Sequence, residues 1–539
     1  MLRKLKMVWR GWFLAAGLSL AWMAAAQQAS SPTVTASPVV TAPEAQVAPA
    51  RGSGKISDEQ AKQLFSLVDE LIKFSSSESG LPIKSQVKRQ ITSRAAVEGY
   101  LKEKFDEDES SRRLQRDEIV LKKFGLLDRD FALKPFLLEL LKEQIEAYYD
   151  SKTKTVYMLD WVSIDEQKPV LAHELTHALQ DQHTDLERWG SQTPEEVSTN
   201  SSGDTDHLVK DEMDSAREAV VEGQATAVML DYILKPKGLS LVKNPEVMDS
   251  VKEMMTGSED SPVMARAPLL LSESLLFPYR EGLSFEQDLW MDQGQTAAFT
   301  GTLDRPPTST WEVMNPREYE SHHVPAVPLL PNIHPLVDAL YRPYDIGQIG
   351  QLDLHILAGL LGGDQAASDL TSAWDGGIYW AGQRLSAKTA EERAKTSSIA
   401  LFYLSAWKSS ASSQDFAQLY AEQLARKYSN VQLEQTAQSA SSASADSITQ
   451  EQVYSTSEGK VVITTRGKLV FVAESFPLEV ARKLTTLVLD AQGTGEMKLA
   501  RAGGTELETS QPLIGDLVHL LSDSGVMKAA VEAGVMAGR

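Results

Sequence analysis

The stretch His173–His183, HELTHALQDQH, packs three histidines, a glutamate and an aspartate into eleven residues. His173 and His177 are four apart. On an α-helix that spacing puts both imidazoles on one face, a turn apart, where they can reach a single ion. Glu174 is offset by one residue, within reach of a water on that ion whose proton it can accept. A catalytic metal of this kind takes three protein ligands and keeps one position open. The reading therefore turns on the third ligand.

Two places supply one. His183 would complete HExxHxxGxxH, but Gln180 stands where that pattern has Gly. The Gly allows the sharp turn that folds a third His back, whereas Gln favours continuing the helix. On a continuing helix His183 lies about 120° around from His177 and roughly 9 Å along the axis, out of reach of the same ion. The other place is AREAVVEGQATAVML, residues 216–230. There Glu222 is a carboxylate in a mostly apolar run, and a buried charge wants a cation. Gly223 beside it costs about 1 kcal/mol of helix propensity, and its missing side chain would let the helix carrying His173 approach closely. Glu218, one turn earlier, is the rival carboxylate; its neighbours Asp214, Ser215 and Arg217 suit a solvated or salt-bridged residue. Asp181 and Thr226 are placed to orient the ligating histidines from behind, though a helix-surface role fits both equally.

The bulk properties limit the alternatives. The chain has 539 residues, a net charge of −21 and no cysteine. Residues 1–26 hold four positive charges, then the apolar run GWFLAAGLSLAWM, then AAA, the layout of a cleaved secretory signal peptide. The apolar run is shorter than the roughly 20 residues that span a bilayer. Its removal would take the net charge to −25, which argues against nucleic acid as a partner because phosphate binding needs a basic face. Without cysteine there is neither a lipoprotein anchor nor a disulfide, and export without disulfides points to a bacterial envelope, periplasmic or secreted. No later segment reads as transmembrane.

Along the chain, residues 27–55 are a disordered Ala/Ser/Pro-rich linker by composition. Residues 56–345 form the domain that holds the motif. AYYDSKTKTVYML reads as a β-hairpin just before the motif helix. Residues 187–210 read as a polar loop, and the proline-rich stretch 260–345 as irregular structure over a scaffold. Residues 346–491 alternate SSIALFYLSAW, a helix, the hairpin GKVVITTRGKLVFVAES and a further helix, an α+β region with antiparallel strands. Residues 492–539 form a tail.

HELTHALQDQH followed by VVEGQAT resembles a group of exported bacterial zinc metallopeptidase-type proteins of the HExxH-plus-Glu (gluzincin-like) kind. IEAYYDSKTKTVYML, LLFPYREGLSFEQDLW, RPPTSTWEVMNPREY and WDGGIYW follow in the same order, so the resemblance spans most of residues 60–490. It implies a mainly helical, zincin-like α+β core with an edge hairpin, one zinc per chain on His173, His177 and Glu222, and Glu174 as base. The substrate implied is a peptide or protein, which the strand Thr155–Leu159 could hold by strand addition. One departure is Asn315–Pro316, where the group often has His–Pro. Hydrolysis also needs a donor to the oxyanion; by residue type Tyr279, Tyr319, His322 and His323 qualify. The competing expectation is a zincin-fold envelope protein that binds peptide or a cell-wall partner without turnover.

Overall fold

A computed structural model describes residues 56–99, 108–144, 147–190, 192, 197–248, 251, 262–323, 327–440 and 448–492. The expected signal peptide, the linker 27–55 and all but the first residue of the tail 492–539 lie outside them. The longer helices are α1 Asp58–Ser79, α2 Asp108–Phe124, α3 Leu133–Gln144, α4 Ile164–Thr184, α5 Ser201–Lys210, α6 Met213–Leu234, α7 Leu269–Gln293, α8 Gln351–Ala373, α9 Ser410–Glu422 and α10 Leu478–Ala491. The strands are β1 Lys88–Thr92, β2 Tyr148–Asp150, β3 Thr155–Leu159, β4 Tyr341–Gln348, β5 Trp374–Arg384, β6 Ile399–Trp407, β7 Gln432–Ala440, β8 Ile448–Thr456, β9 Gly459–Arg466 and β10 Leu469–Glu474.

The motif helix α4 starts where its sequence says it should. Ser163 accepts from the Glu166 N–H, and the Glu166 side chain reaches back to the cap, a reciprocal capping box. Buried Gln167 fixes the angle at which α4 leaves the sheet: its oxygen accepts from the Leu159 N–H (2.9 Å) and its nitrogen donates to the carbonyls of Leu159 (3.1 Å) and Val162 (2.8 Å). The helix continues through Gln180 and stops at Asp185, which caps it in the left-handed region (φ 60°).

Helices α1, α4, α6 and α7 pack side by side, with α6 between α4 and α7. Stretches expected to be irregular are helical here. Residues 187–210 contain α5, and the 260–345 stretch contains the 25-residue α7, which runs through Pro278. A mid-helix Pro costs about 3 kcal/mol. Burial of Leu270, Leu271, Leu275, Phe277, Tyr279, Leu283, Phe285 and Leu289 outweighs it.

A three-stranded sheet in the order β1-β3-β2 flanks α4, with β1 parallel and β2 antiparallel to β3. This corrects the expectation for Thr155–Leu159. That strand is central and both its edges are taken, so the outer edges of the sheet belong to β1 and β2.

The C-terminal part is a seven-stranded antiparallel sheet in the order β4-β5-β6-β10-β9-β8-β7. Strand alternation divides its side chains between two cores. Ile399, Leu401 and Tyr403 of β6 join α9 and the core of helices α4, α6 and α7; Ala400, Phe402 and Leu404 join Ala481, Leu484 and Val488 of α10. The expected boundary at 345/346 falls inside β4, and one hydrophobic core runs across it. Among the described residues no helix is long and apolar enough to cross a membrane.

The junction between α5–α6 and β4 is a seam of buried acids. Asp211 accepts from the Gln348 N–H (2.6 Å), and Gln348 donates to the Leu208 carbonyl (2.7 Å). Glu212 accepts from the N–H and hydroxyl of Thr310 (3.0 and 2.5 Å). His334 bridges Asp204 and Asp338, 3.0 Å from each. This seam anchors the first turn of α6, the helix that carries Glu222.

Candidate metal centre

Helix geometry puts His173 and His177 on one face of α4, and the two rings meet edge to face with centroids 4.6 Å apart. Glu222 reaches them from α6. Its Oε2 lies 3.0 Å from His173 Nε2 and its Oε1 3.5 Å from His177 Nε2. One ligand atom from each of the three falls within 4.8 Å of the others, and this is the one such group among the described residues. Donors about 2.1 Å from a common tetrahedral ion are spaced about 3.4 Å apart. The 3.0 and 3.5 Å spacings bracket that value, and two imidazoles with a carboxylate form a donor set that suits a divalent ion. The group could therefore hold a metal.

Glu174 sits beside the three. Its Oε2 accepts the backbone N–H of Tyr149 (2.7 Å). Tyr149 lies on the edge strand β2, and this N–H points to α4, so the outer edge of β2 faces the centre. The Tyr149 hydroxyl donates to Asp181 (2.6 Å), as does Lys154 Nζ (2.8 Å). Burial, reinforced by the Asp181 carboxylate, holds the Tyr149 phenol far above its ordinary range, so it stays protonated. One residue of β2 is thus tied at its backbone to Glu174 and at its side chain to a residue two turns further along the same helix.

The third member is Glu222 and not the alternatives. His183 pairs with Asp304 (2.8 Å) beyond the end of the cluster, as a continuing helix requires. Glu218 is half-buried one turn before Glu222 and outside the group. Two expectations need correction. Gly223 does not receive α4. A Cβ there would meet the Gly282 carbonyl carbon and oxygen at 2.4 Å, and a Cβ at Gly282 would meet the Ala219 oxygen at 2.1 Å. The glycine pair brings α7 against α6. It also carries Tyr279, one turn before Gly282, to His173, with ring centroids 6.3 Å apart and planes 22° from parallel. Asp181 and Thr226 do not touch the histidines. Asp181 holds the hairpin and the end of α4, also accepting from the Leu186 N–H (3.1 Å). The buried Thr226 hydroxyl finds no hydrogen-bond partner among the described residues.

Of the four donor candidates only Tyr279 reaches the centre. The Tyr319 hydroxyl donates to the Arg305 carbonyl (2.6 Å). His322 and His323 lie on an exposed turn, where His323 pairs with Glu318 (2.8 Å) and meets the edge of Trp311. Asn315, at the position of the departure from the resembled pattern, donates to Trp311 O and Gln351 Oε1 (both 2.8 Å). Two residues escaped the sequence reading. Tyr149 gave no signal beyond its place in the hairpin. Gln180 breaks the HExxHxxGxxH pattern, yet it lies three residues after His177, on the same helix face, and its oxygen is 2.9 Å from His177 Nδ1.

The centre is closed: His173 and Glu174 are 0% exposed, Glu222 2% and His177 6%. No family model, curated protein or solved structure matches the chain, and what this centre can do follows from its own donor set and surroundings.

Proposed function

We infer that the chain is an exported, zincin-like, zinc-dependent metallopeptidase that hydrolyses peptide bonds in the bacterial periplasm or outside the cell. The observation that carries this is the convergence of His173, His177 and Glu222 with Glu174 beside them. A structural metal site has no use for an adjacent base. When bound, zinc supplies Lewis acidity, polarising a carbonyl and easing deprotonation of water. Glu174 takes the proton from the attacking water and returns it to the leaving nitrogen. The Tyr149 N–H holds one oxygen of that carboxylate and so sets its orientation. Tyr279, against His173, is the donor placed to support the oxyanion. Export rests on the N-terminal sequence.

The burial of the centre favours a second reading, a zincin-fold envelope protein that keeps its metal and binds peptide or a cell-wall partner without turnover. One experiment separates the two. The purified full chain is assayed for zinc and for cleavage of casein and a diverse peptide library, beside Glu174→Gln. The peptidase reading expects about one zinc per chain in both proteins, with cleavage roughly 10²–10⁴-fold slower in the variant. Full zinc occupancy with no cleavage by the wild-type chain overturns it in favour of the second reading.

A further inference from the structure

An imidazole ligates a metal only through a nitrogen that carries no proton, so its tautomer decides whether it can serve. For His177 that choice is dictated from outside the centre. Gln224, two residues after Glu222 on α6, points its amide nitrogen at the backbone carbonyls of Ala298 and Phe299 (both 3.0 Å) and at Thr302 Oγ1 (2.8 Å). Backbone carbonyls only accept. The Thr302 hydroxyl gives its own proton to the Ala298 carbonyl (2.8 Å), so it too accepts here. This end of Gln224 must be the NH₂ and the other end the oxygen. That oxygen lies 2.9 Å from the amide nitrogen of Gln180, which also donates to the Val221 carbonyl (3.0 Å). The orientation of Gln180 follows, and its oxygen faces His177 Nδ1 at 2.9 Å. An amide oxygen only accepts, so Nδ1 carries the proton and Nε2, on the Glu222 side, presents a lone pair. Every link in the chain of bonds is fully buried: Gln180, Gln224 and Thr302 are all 0% exposed. The carbonyls that set the sense of the whole relay belong to the π-helical turn Ala297–Gly301, a rare geometry that concentrates at functional sites.

We propose that Gln180 and Gln224 are positioning residues that lock His177 in its Nδ1–H tautomer, so that the π-helical turn Ala297–Gly301 prepares the centre for a metal from three side chains away. This rests on reading His173, His177 and Glu222 as the metal ligands.

The test uses the full chain. Zinc affinity is measured by competition with a chelator, and the His177 tautomer of the metal-free protein by ring ¹⁵N resonances after selective histidine labelling. Gln180→Leu and Gln224→Met are expected to weaken zinc binding roughly 10–100-fold, the range for lost outer partners of a ligating histidine, and to turn His177 into a mixture of tautomers. Gln180→Glu keeps an acceptor facing Nδ1 but gives up the amide donor to the Val221 carbonyl and Gln224 Oε1, so it is expected to bind zinc less tightly than wild type but more tightly than Gln180→Leu and to keep the Nδ1–H tautomer, a partial rescue that a merely space-filling role would not give. Folded Gln180→Leu and Gln224→Met chains that bind zinc as tightly as wild type overturn the relay and leave the metal reading standing. An Nε2–H tautomer in the wild-type chain also overturns the relay. A wild-type chain that takes up no zinc overturns the metal reading itself.

Discussion

The candidate metal centre, midway along α6, and the acid seam, at its start, both bury carboxylates, and they resolve the cost in opposite ways. At the centre Glu222 meets two imidazoles whose nitrogens converge with it on one point. In the seam Asp211 and Glu212 meet mostly other acids, among them Asp345 and Asp353, and no three ligand atoms there gather in the same manner. Burial instead pushes the carboxyls of the seam toward their neutral form. It lifts Asp211 and Asp353 well above the ordinary carboxylate range, raises Glu212, and pushes Asp204 and Asp345 up to about 6. A buried acid is therefore not by itself a ligand. Convergence of donors makes one, and where donors do not converge a proton serves in place of a cation.

The sharpest way to break this contrast is to neutralise one acid on each side. Glu222→Gln is expected to weaken zinc binding by more than the roughly 100-fold that bounds the loss of an outer partner. Asp211→Asn, at a carboxyl that burial already pushes toward its neutral form, is expected to leave zinc affinity within a few-fold of wild type. Equal losses in the two variants, measured by chelator competition, would erase the distinction.

A smaller effect tests what brings the centre together. Gly223→Ala forces α6 and α7 apart, because the new Cβ would overlap the Gly282 backbone at 2.4 Å and backbone cannot swing aside. Overpacking of this kind costs about 1–3 kcal/mol, read in urea unfolding, and should displace Tyr279 from His173. An unchanged midpoint would show that the contact is not tight.

The smallest effect is the pH dependence, and its sign differs between regions. Asp204 and Asp345 titrate near 6 in the folded chain and near 3.8 as ordinary carboxyls. The folded state therefore binds their protons more tightly. Their contribution is fully present below pH 3.8 and is lost as pH rises through about 6. Glu474, on β10, behaves in the opposite sense. Burial works to raise it, but Lys427 and Lys123 outweigh burial and leave it below its ordinary value, so its contribution is lost as pH falls. Thermal unfolding between pH 4 and 8 should show Asp345→Asn flattening the decline toward pH 7 and Glu474→Gln flattening the loss toward pH 4. The reverse assignment would refute the upward shift of the seam's carboxyls.

The legible part of the site was local. His173, Glu174 and His177 share a face because 3.6 residues make a turn, and no distant contact is needed to know it. Glu222 could be singled out because a carboxylate in an apolar helix face has to be explained by a partner. The long hairpin β9–β10 and strand β6 were readable from their apolar alternation. Strands β7 and β8 were not, because QLEQTAQSA and ITQEQVYST carry little apolar pattern and pair at the sheet's edge. Helix α7 was hidden by its prolines, since local propensity weighs against it and only burial makes it form.

By itself, then, the amino-acid sequence determined which residues on α4 can act on one ion and that a buried carboxylate must answer them. Only the tertiary structure decided that Gly223 faces Gly282, that β3 is a central strand and the Tyr149 N–H of β2 is spent on Glu174, and that Gln180 and Gln224 hand a fixed tautomer to His177. The physical reason is range. Spacing along a helix is set within a few residues by backbone geometry, whereas these pairings join segments 25 to 75 residues apart and exist only once the core has closed.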